Sequence, residues 1–424
     1  MPPQPTPQAR VGQQVRGSQH AVPPPEAVAV PSMTPLAPAN TPNRDQRRLL
    51  RAALGPDAQA GDAWRAWRAR YPRPLVECEP AARSLFPLIY TNLSRAGYDG
   101  PDLAELRELY ERTWIANQVR ARGLVELLRA FRQAGIVAMP MKGMALALFY
   151  YDDLAVRPMG DVDLLIRPGD LEAASQILTA SGWQADQELP PEHLRPYLVA
   201  TGWDHARFGP LDLHWNPYTV DVTDETCRGL WQRAVVRSAL GVEILVPDTT
   251  DLLVHMGFHS RKADPQSAAR WVADLLQLVA DKKAPVRWSE LVSRATEFGM
   301  VGPVRDALIY LREQFAADVP DDVLCDLIAR PLSDVDHRRY EGLARDSSPA
   351  SVGAMISLHW QHYTAGCRGA GRWPTPWGFA RYALSYGRHR YGCHTVAEVA
   401  DGVLRRHAAE GPSLTVGNSA TIRS

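Results

Sequence analysis

The chain has no excess of charge of either sign: 47 basic residues stand against 47 acidic ones over 424 positions. Proteins that grip long nucleic acid usually carry a basic surplus to neutralise phosphates, so its absence points to a small molecule or a protein as partner. Cysteine is scarce and poorly spaced. Cys78, Cys227, Cys325, Cys367 and Cys393 are odd in number, and no two stand at C-x-x-C spacing. That argues against a zinc ribbon or a disulfide framework and fits a reducing compartment. No apolar run approaches the roughly 18–20 residues needed to span a bilayer, and the N-terminus lacks the apolar core of a signal peptide. The expectation is a soluble cytoplasmic protein without membrane contact.

What is present suffices for a sizeable core. With 45% hydrophobic residues, the length suggests two or three domains. Residues 1–44 are rich in proline, glutamine, alanine and threonine, with no periodic apolar pattern, and read as a disordered tail; 411–424 read the same way. Over 45–135 helical signals dominate. Leu103, Leu106, Leu109, Trp114, Leu124 and Leu128 recur at helical steps and predict one long helix or two, ending at Gly135. A small core over 136–247 follows, then a helical segment over 248–320 and a further helical region over 321–410.

Within the core, residues 136–139 read as a short buried strand ended by Pro140. Lys142-Gly143 then reads as a turn before an apolar helix from Met144 to about Tyr150. Asp161-Val162-Asp163-Leu164-Leu165-Ile166 reads as a strand. Asp170 is expected to cap a helix from Leu171 to about Ala180, which Gly182 stops. Leu211-Asp212-Leu213-His214-Trp215 and residues 241–246 read as two more strands. Further helices are expected over 251–260, 267–281, 289–298 and 303–315.

Asp161 and Asp163 are two residues apart on a strand, so their carboxylates project from one face. Like charges so placed repel unless something offsets them, and a divalent cation such as Mg²⁺ favours carboxylate oxygens. A bare D-x-D pattern is equally compatible with a solvated strand edge. The context adds weight: Gly160 precedes the pair, where a ligand can approach the backbone closely. The Lys142-Gly143 turn feeding a helix can offer N–H groups to a phosphate. Asp212 sits between two leucines mid-strand, an unfavourable place without a partner. It is either a third carboxylate on the same cation or a strand aspartate bonded to backbone, with Glu243 as the first substitute for the third acid. If these acids cluster, replacing Asp163 or Asp212 by asparagine should relieve repulsion.

The run from Lys142-Gly143 through Arg157-Pro158-Met159-Gly160-Asp161-Val162-Asp163-Leu164-Leu165 resembles the uncharacterised nucleotidyltransferase family of the DNA-polymerase-β-like superfamily. Residues 211–215 are similar to its third-acid strand. Residues 253–259, 271–274 and the helix at Trp288 are similar to its helical region. The resemblance implies an α+β fold, with a small polymerase-β-like core of mixed sheet and helices flanked by N- and C-terminal helical segments. It also implies transfer of a nucleoside monophosphate from an NTP, ATP being the first candidate, to an unknown hydroxyl or phosphate acceptor with release of pyrophosphate. The roles it implies place Asp161, Asp163 and Asp212 on Mg²⁺ or Mn²⁺. Lys142, Gly143, Gly160 and Arg157 would serve the triphosphate, with a structural salt bridge as the alternative for Arg157. Where the superfamily carries a glycine-serine pair, this chain has Lys142-Gly143-Met144; the hydroxyl is missing and a lysine charge stands beside the glycine.

His255 and His259 share a helix face. No glutamate follows His255 and no third ligand is evident, so packing or a substrate contact fits them better than zinc. His214 is either a neighbour orienting the metal-binding acids or a packed strand histidine. Trp373, Trp377, Phe379, Tyr382, Tyr386 and Tyr391 alternate with Arg381, Arg388 and Arg390, a pattern that can stack nucleobases but that fits an amphipathic helix with aromatic core residues better. Two other functional classes compete. A kinase-type phosphotransferase would show a His-Arg-Asp-type catalytic loop and a Gly-rich loop, neither of which is apparent. A non-catalytic protein-binding module on a retired scaffold would not need all three acids. Acceptor and oligomeric state are not written in the pattern.

Overall fold

The computed structural model describes residues 41–218, 224–261, 269–332, 352–369 and 371–391, with Thr395 and Glu398 beyond them. Both expected disordered tails lie outside this range, except for positions 41–44.

The chain begins with α1 (Arg44–Leu54), α2 (Asp57–Arg68), a short α3 (Pro80–Arg83) and α4 (Phe86–Arg95). Their contacts centre on a stacked Trp64–Trp67 pair with Phe86 edge-on to Trp64. The start of α1 is chemically defined. Asn43 accepts hydrogen bonds from the N–H groups of Asp45 and Gln46, while the Gln46 side chain accepts from the Asn43 N–H. This reciprocal cap satisfies donors that a helix start otherwise leaves exposed. The folded part therefore starts before residue 45, where the composition shift had put the boundary.

One helix, α5 (Leu103–Gln133), spans 31 residues; Gly135, at φ 75°, turns the chain after it. Next come β1 (Ala138–Pro140), α6 (Lys142–Phe149), β2 (Val162–Ile166), α7 (Leu171–Ala180), β3 (Gln184–Ala185), β4 (Ala200–Asp204) and β5 (Leu211–His214). The five strands form a mixed sheet in the order β1-β2-β5-β4-β3. Only the β2–β5 pair is parallel. β3 and β4 were not legible in the sequence: one is two residues long and the other contains Gly202. Pro140 lies on edge strand β1, where a missing N–H is tolerated. α7 does not use Asp170 as its side-chain cap. The chain enters through a 3-10 turn, Pro168–Asp170, and the Asp170 side chain makes no capping bond.

After α8 (Asp224–Arg233), β6 (Val235–Ala239) and β7 (Val242–Val246) form a separate hairpin. Leu240 and Gly241 both have positive φ, 55° and 71°, which suits a two-residue turn between twisted strands. The strand expected over 241–246 is thus outside the main sheet, and Glu243 is exposed on it.

α9 (Thr249–His259), α10 (Arg270–Ala280), α11 (Trp288–Glu297) and α12 (Val301–Phe315) match the expected helices closely. α13 (Asp321–Ala329), α14 (Val352–Gly369) and α15 (Pro376–Tyr391) complete the described chain. α9 is buried along nearly its whole length because its neighbours cover every side. Asp248 caps it, and Arg294 from α11 bonds Asp248 at 2.6 Å. Arg233 grips Asp251 with two bonds of 2.9 and 3.1 Å. These pairs, the first buried and the second partly so, tie α8, α9 and α11 into one body. Among the described residues, no helix is long and apolar enough to cross a membrane.

The cap on α1 sets a boundary that can be measured. Asn43→Ala should cost about 1 kcal/mol in chemical denaturation, and a chain starting at Asp45 should be less stable than one starting at Thr41. Equal stability of the two chains would show that the cap contributes nothing.

Candidate active site

The β2–β5 register places Asp163 directly beside Asp212. Neighbouring residues in register point to the same face of a sheet, so two carboxylates share one site. One ligand atom from each of Asp163, Asp212 and His214 lies within 4.8 Å of the others. His214 Nε2 is 3.0 Å from Asp163 Oδ1. Asp161 stands one residue before β2, outside this trio. It lines the adjoining cleft together with Lys142, Gly143, Gly160 and Asp163.

Lys142 reaches the cluster through an unusual backbone. The ladder of β1 runs one residue further, with the Met141 N–H donating to the Asp163 carbonyl at 2.9 Å. The chain then turns sharply, and Lys142 has φ 41°. That region is uncommon for a residue with a side chain, and strain of this kind gathers at functional sites. The expected turn at Lys142-Gly143 is therefore the first turn of α6 itself, which has no side-chain cap. The Lys142 ammonium bonds Asp163. Burial opposes the lysine charge, yet Asp163, Asp161 and Asp212 outweigh it and raise its pKa. All three expected acids thus act on one cation.

The two acids of the D-x-D pair are shifted in opposite directions. Burial pushes the Asp163 carboxyl up, but Lys142 and His214 overcome this and hold it well below its ordinary value. Asp161 moves the other way: burial first, then the charge on Asp163, raise it despite Lys142 and Arg270. Burial and the neighbouring Asp163 charge thus disfavour the ionised form of Asp161, while Lys142 and His214 favour that of Asp163. The donor set fits a divalent cation, since two carboxylates converge with an imidazole nitrogen.

Arg157 is engaged by another side chain of the protein. It is buried, and its Nε and Nη2 each donate to Asp274 of α10 at 2.8 Å. The Tyr151 hydroxyl donates to the same carboxylate at 2.8 Å. The structural salt bridge weighed for this arginine is what forms, although the side chain still borders the cleft. Asn117 of α5 supports the loop from beneath, donating to the carbonyls of Leu154 and Arg157 at 2.6 and 2.9 Å. Gly143 serves this packing. A Cβ there would lie 2.6 Å from Arg157 Nη1 and 3.0 Å from Met159 Sδ.

His255 and His259 stand with Nε2 atoms 3.2 Å apart. His255 is buried against Tyr218, and His259 lines the cleft. Sequence reasoning did not assign Arg270, Arg120, Tyr151 or Asp274. Arg270 and Arg120 both act on the Asp161 charge, and the Arg120 side chain bonds the Gly160 carbonyl at 3.2 Å. Asp274 had a readable signal: it is an acid on the apolar face that Trp271, Leu275 and Leu278 define on α10.

A family model described as "Uncharacterised nucleotidyltransferase" matches residues 81–316, more than half of the chain. The protein belongs to that nucleotidyltransferase family. No curated protein matches it. Among solved structures, the lincosamide antibiotic adenylyltransferase LnuA in its lincomycin-bound form is 14% identical, with a TM-score of 0.28 over 38% of this chain and 96% of that one. An antigenic nucleotidyltransferase-like protein from Paracoccidioides brasiliensis is also 14% identical, with a TM-score of 0.31 over 51% and 93%. Likeness at this level carries nothing about the substrate of the present family member.

The Gly143 contact makes a prediction. Arg157 cannot swing away from a new methyl group without losing Asp274, so Gly143→Ala should destabilise the fold by about 1–3 kcal/mol. Thermal or urea unfolding measures this; a wild-type midpoint would show that the arginine fork has room to shift.

Proposed function

We propose that the protein transfers a nucleoside monophosphate from an NTP, ATP first among candidates, to a hydroxyl or phosphate on an acceptor, releasing pyrophosphate. The observation that carries this reading is the in-register pair Asp163 and Asp212, with Asp161 beside them at a cleft that also holds Lys142. Membership of the nucleotidyltransferase family supports it.

Divalent ions, Mg²⁺ or Mn²⁺, would supply charge neutralisation on the triphosphate and on the attacking oxygen. Asp161 and Asp163 would hold the ion that accompanies the NTP, and Asp212 the ion on the acceptor side, with His214 orienting Asp163. The Lys142 ammonium would exchange part of its contact with Asp163 for a phosphate oxygen. The first N–H groups of α6 have no side-chain cap and would face the same anion. Arg157 would act indirectly, holding the Met159–Asp161 approach against α10. Little further covalent chemistry is required of the protein, because such transfers depend on in-line placement and charge. A kinase-type reaction would release ADP instead, so the product separates the two.

Incubation with each labelled NTP, Mg²⁺ and cell extract, followed by identification of the labelled species, tests the reaction. Pyrophosphate should form in a metal-dependent way. ADP without pyrophosphate would replace this reading with phosphotransfer.

The acids should separate in two measurements. Asp163→Asn and Asp212→Asn should each lower pyrophosphate release by at least about a hundredfold. In calorimetry Asp163→Asn should weaken Mg·NTP binding, whereas Asp212→Asn should largely spare it. In metal-free buffer Asp163→Asn should destabilise the fold by about 1–3 kcal/mol, because Lys142 loses its partner. Asp161→Asn should leave stability equal or higher, because the ionised acid is disfavoured there. Wild-type turnover in Asp212→Asn would remove Asp212 from the site.

A further inference from the structure

The C-terminal aromatic segment takes no part in the acid cluster. Between Asp346 and Glu398 there is no acidic residue, while Arg368, Arg372, Arg381, Arg388 and Arg390 fall in the same stretch. In a chain with as many acids as bases, this is a local concentration of positive charge.

Its helices build a tyrosine-lined floor. α14 and α15 pack on a 3-10 turn, Glu192–Tyr197. The Tyr197 ring lies 5.9 Å from Tyr363 and 4.7 Å from Tyr382, which are 5.6 Å from each other. Two glycines permit this approach. A Cβ at Gly366 would lie 2.3 Å from the Tyr197 ring, and one at Gly378 would lie 2.0 Å from the Tyr363 hydroxyl. His193 Nε2 and Ser385 Oγ, 2.7 Å apart, join the turn to α15.

A cavity of about 620 Å³ opens on this floor, with Arg372, Arg381 and Arg388 on its wall and Trp373 at its edge. Its size is that of a small-ligand pocket. Arg372 is anchored: its Nη2 donates to the Tyr197 hydroxyl at 3.2 Å, and its backbone N–H donates to the Cys367 carbonyl at 2.7 Å. Arg381 and Arg388 are exposed, and among the described residues neither enters an ion pair. Tyr382 and Tyr386 are buried, as a packed amphipathic helix requires. Trp373 and Trp377 are not: they are 91% and 75% exposed.

We infer that this cavity binds a small phosphorylated molecule with a planar ring, of mononucleotide size. Arginine forks bond phosphate oxygens in pairs, and the ring would stack on Trp373 at the edge of the tyrosine floor. Tyr197 precedes by three residues Ala200, which pairs with His214. The cavity therefore lies towards one end of the strand pair that carries Asp212. This inference concerns binding alone and holds whether or not the transfer reaction does.

Calorimetry on the full chain in EDTA, with adenosine 5′-monophosphate as probe, tests it. The monophosphate should bind at least tenfold tighter than adenosine and than inorganic phosphate. Joint replacement Arg381→Gln and Arg388→Gln should weaken it tenfold or more, and Trp373→Ala several-fold, all without moving the thermal midpoint, since these side chains are exposed. No binding of the monophosphate, or equal binding by the double variant, would overturn the inference. So would tighter binding of a single-stranded oligonucleotide than of the monophosphate, because the contact would then extend beyond the cavity.

Discussion

Asp163 and Asp212 stand side by side in parallel strands, and like charges in that position repel. Much of the surrounding structure answers this one constraint. β1 pairs with β2 so that its exit at Met141 delivers Lys142 to Asp163. The lysine accepts a left-handed backbone to get there. His214, three residues after Leu211 on the partner strand, closes on the same oxygen. Asp161, where burial and the Asp163 charge oppose ionisation, lines the open cleft.

A second set of charges holds the walls of that cleft. Asn117, Arg157, Tyr151 and Asp274 link α5, the loop before β2 and α10 through buried hydrogen bonds. A buried ion pair adds little net stability compared with apolar packing, but losing one partner leaves an expensive orphan charge. Its main effect is to permit one arrangement of loop and helix. The Asp248–Arg294 and Asp251–Arg233 pairs do the same for α8, α9 and α11. The helical segment after the sheet is thus fastened to the site by specific polar contacts, and His259 and Trp271 reach the cleft from it.

The C-terminal helices follow a different logic. Their contacts are aromatic and glycine-mediated, and Arg381 and Arg388 are left on the surface, in no ion pair among the described residues. The acid cluster and the tyrosine-floored cavity are therefore opposite in charge, on elements that meet through the turn before β4.

The sequence by itself determined α5 to α7 and α9 to α12, the α+β class, the strand that bears Asp163, and the strand that bears Asp212. Those features depend on local periodicity, capping and turn residues, which act over a few positions. It also marked Lys142-Gly143 as special without showing why: Gly143 makes room for Arg157, and Lys142 bends the chain towards Asp163. Tertiary structure alone decided that Arg157 bonds Asp274, since two residues so far apart in the chain leave no periodic trace of their pairing. It likewise put the strand at 242–246 in a separate hairpin and left Trp373 and Trp377 exposed. Side-chain charge and aromaticity are properties of single residues, but what they meet is set by register and by how closely elements approach, and those are fixed only when the whole chain has packed.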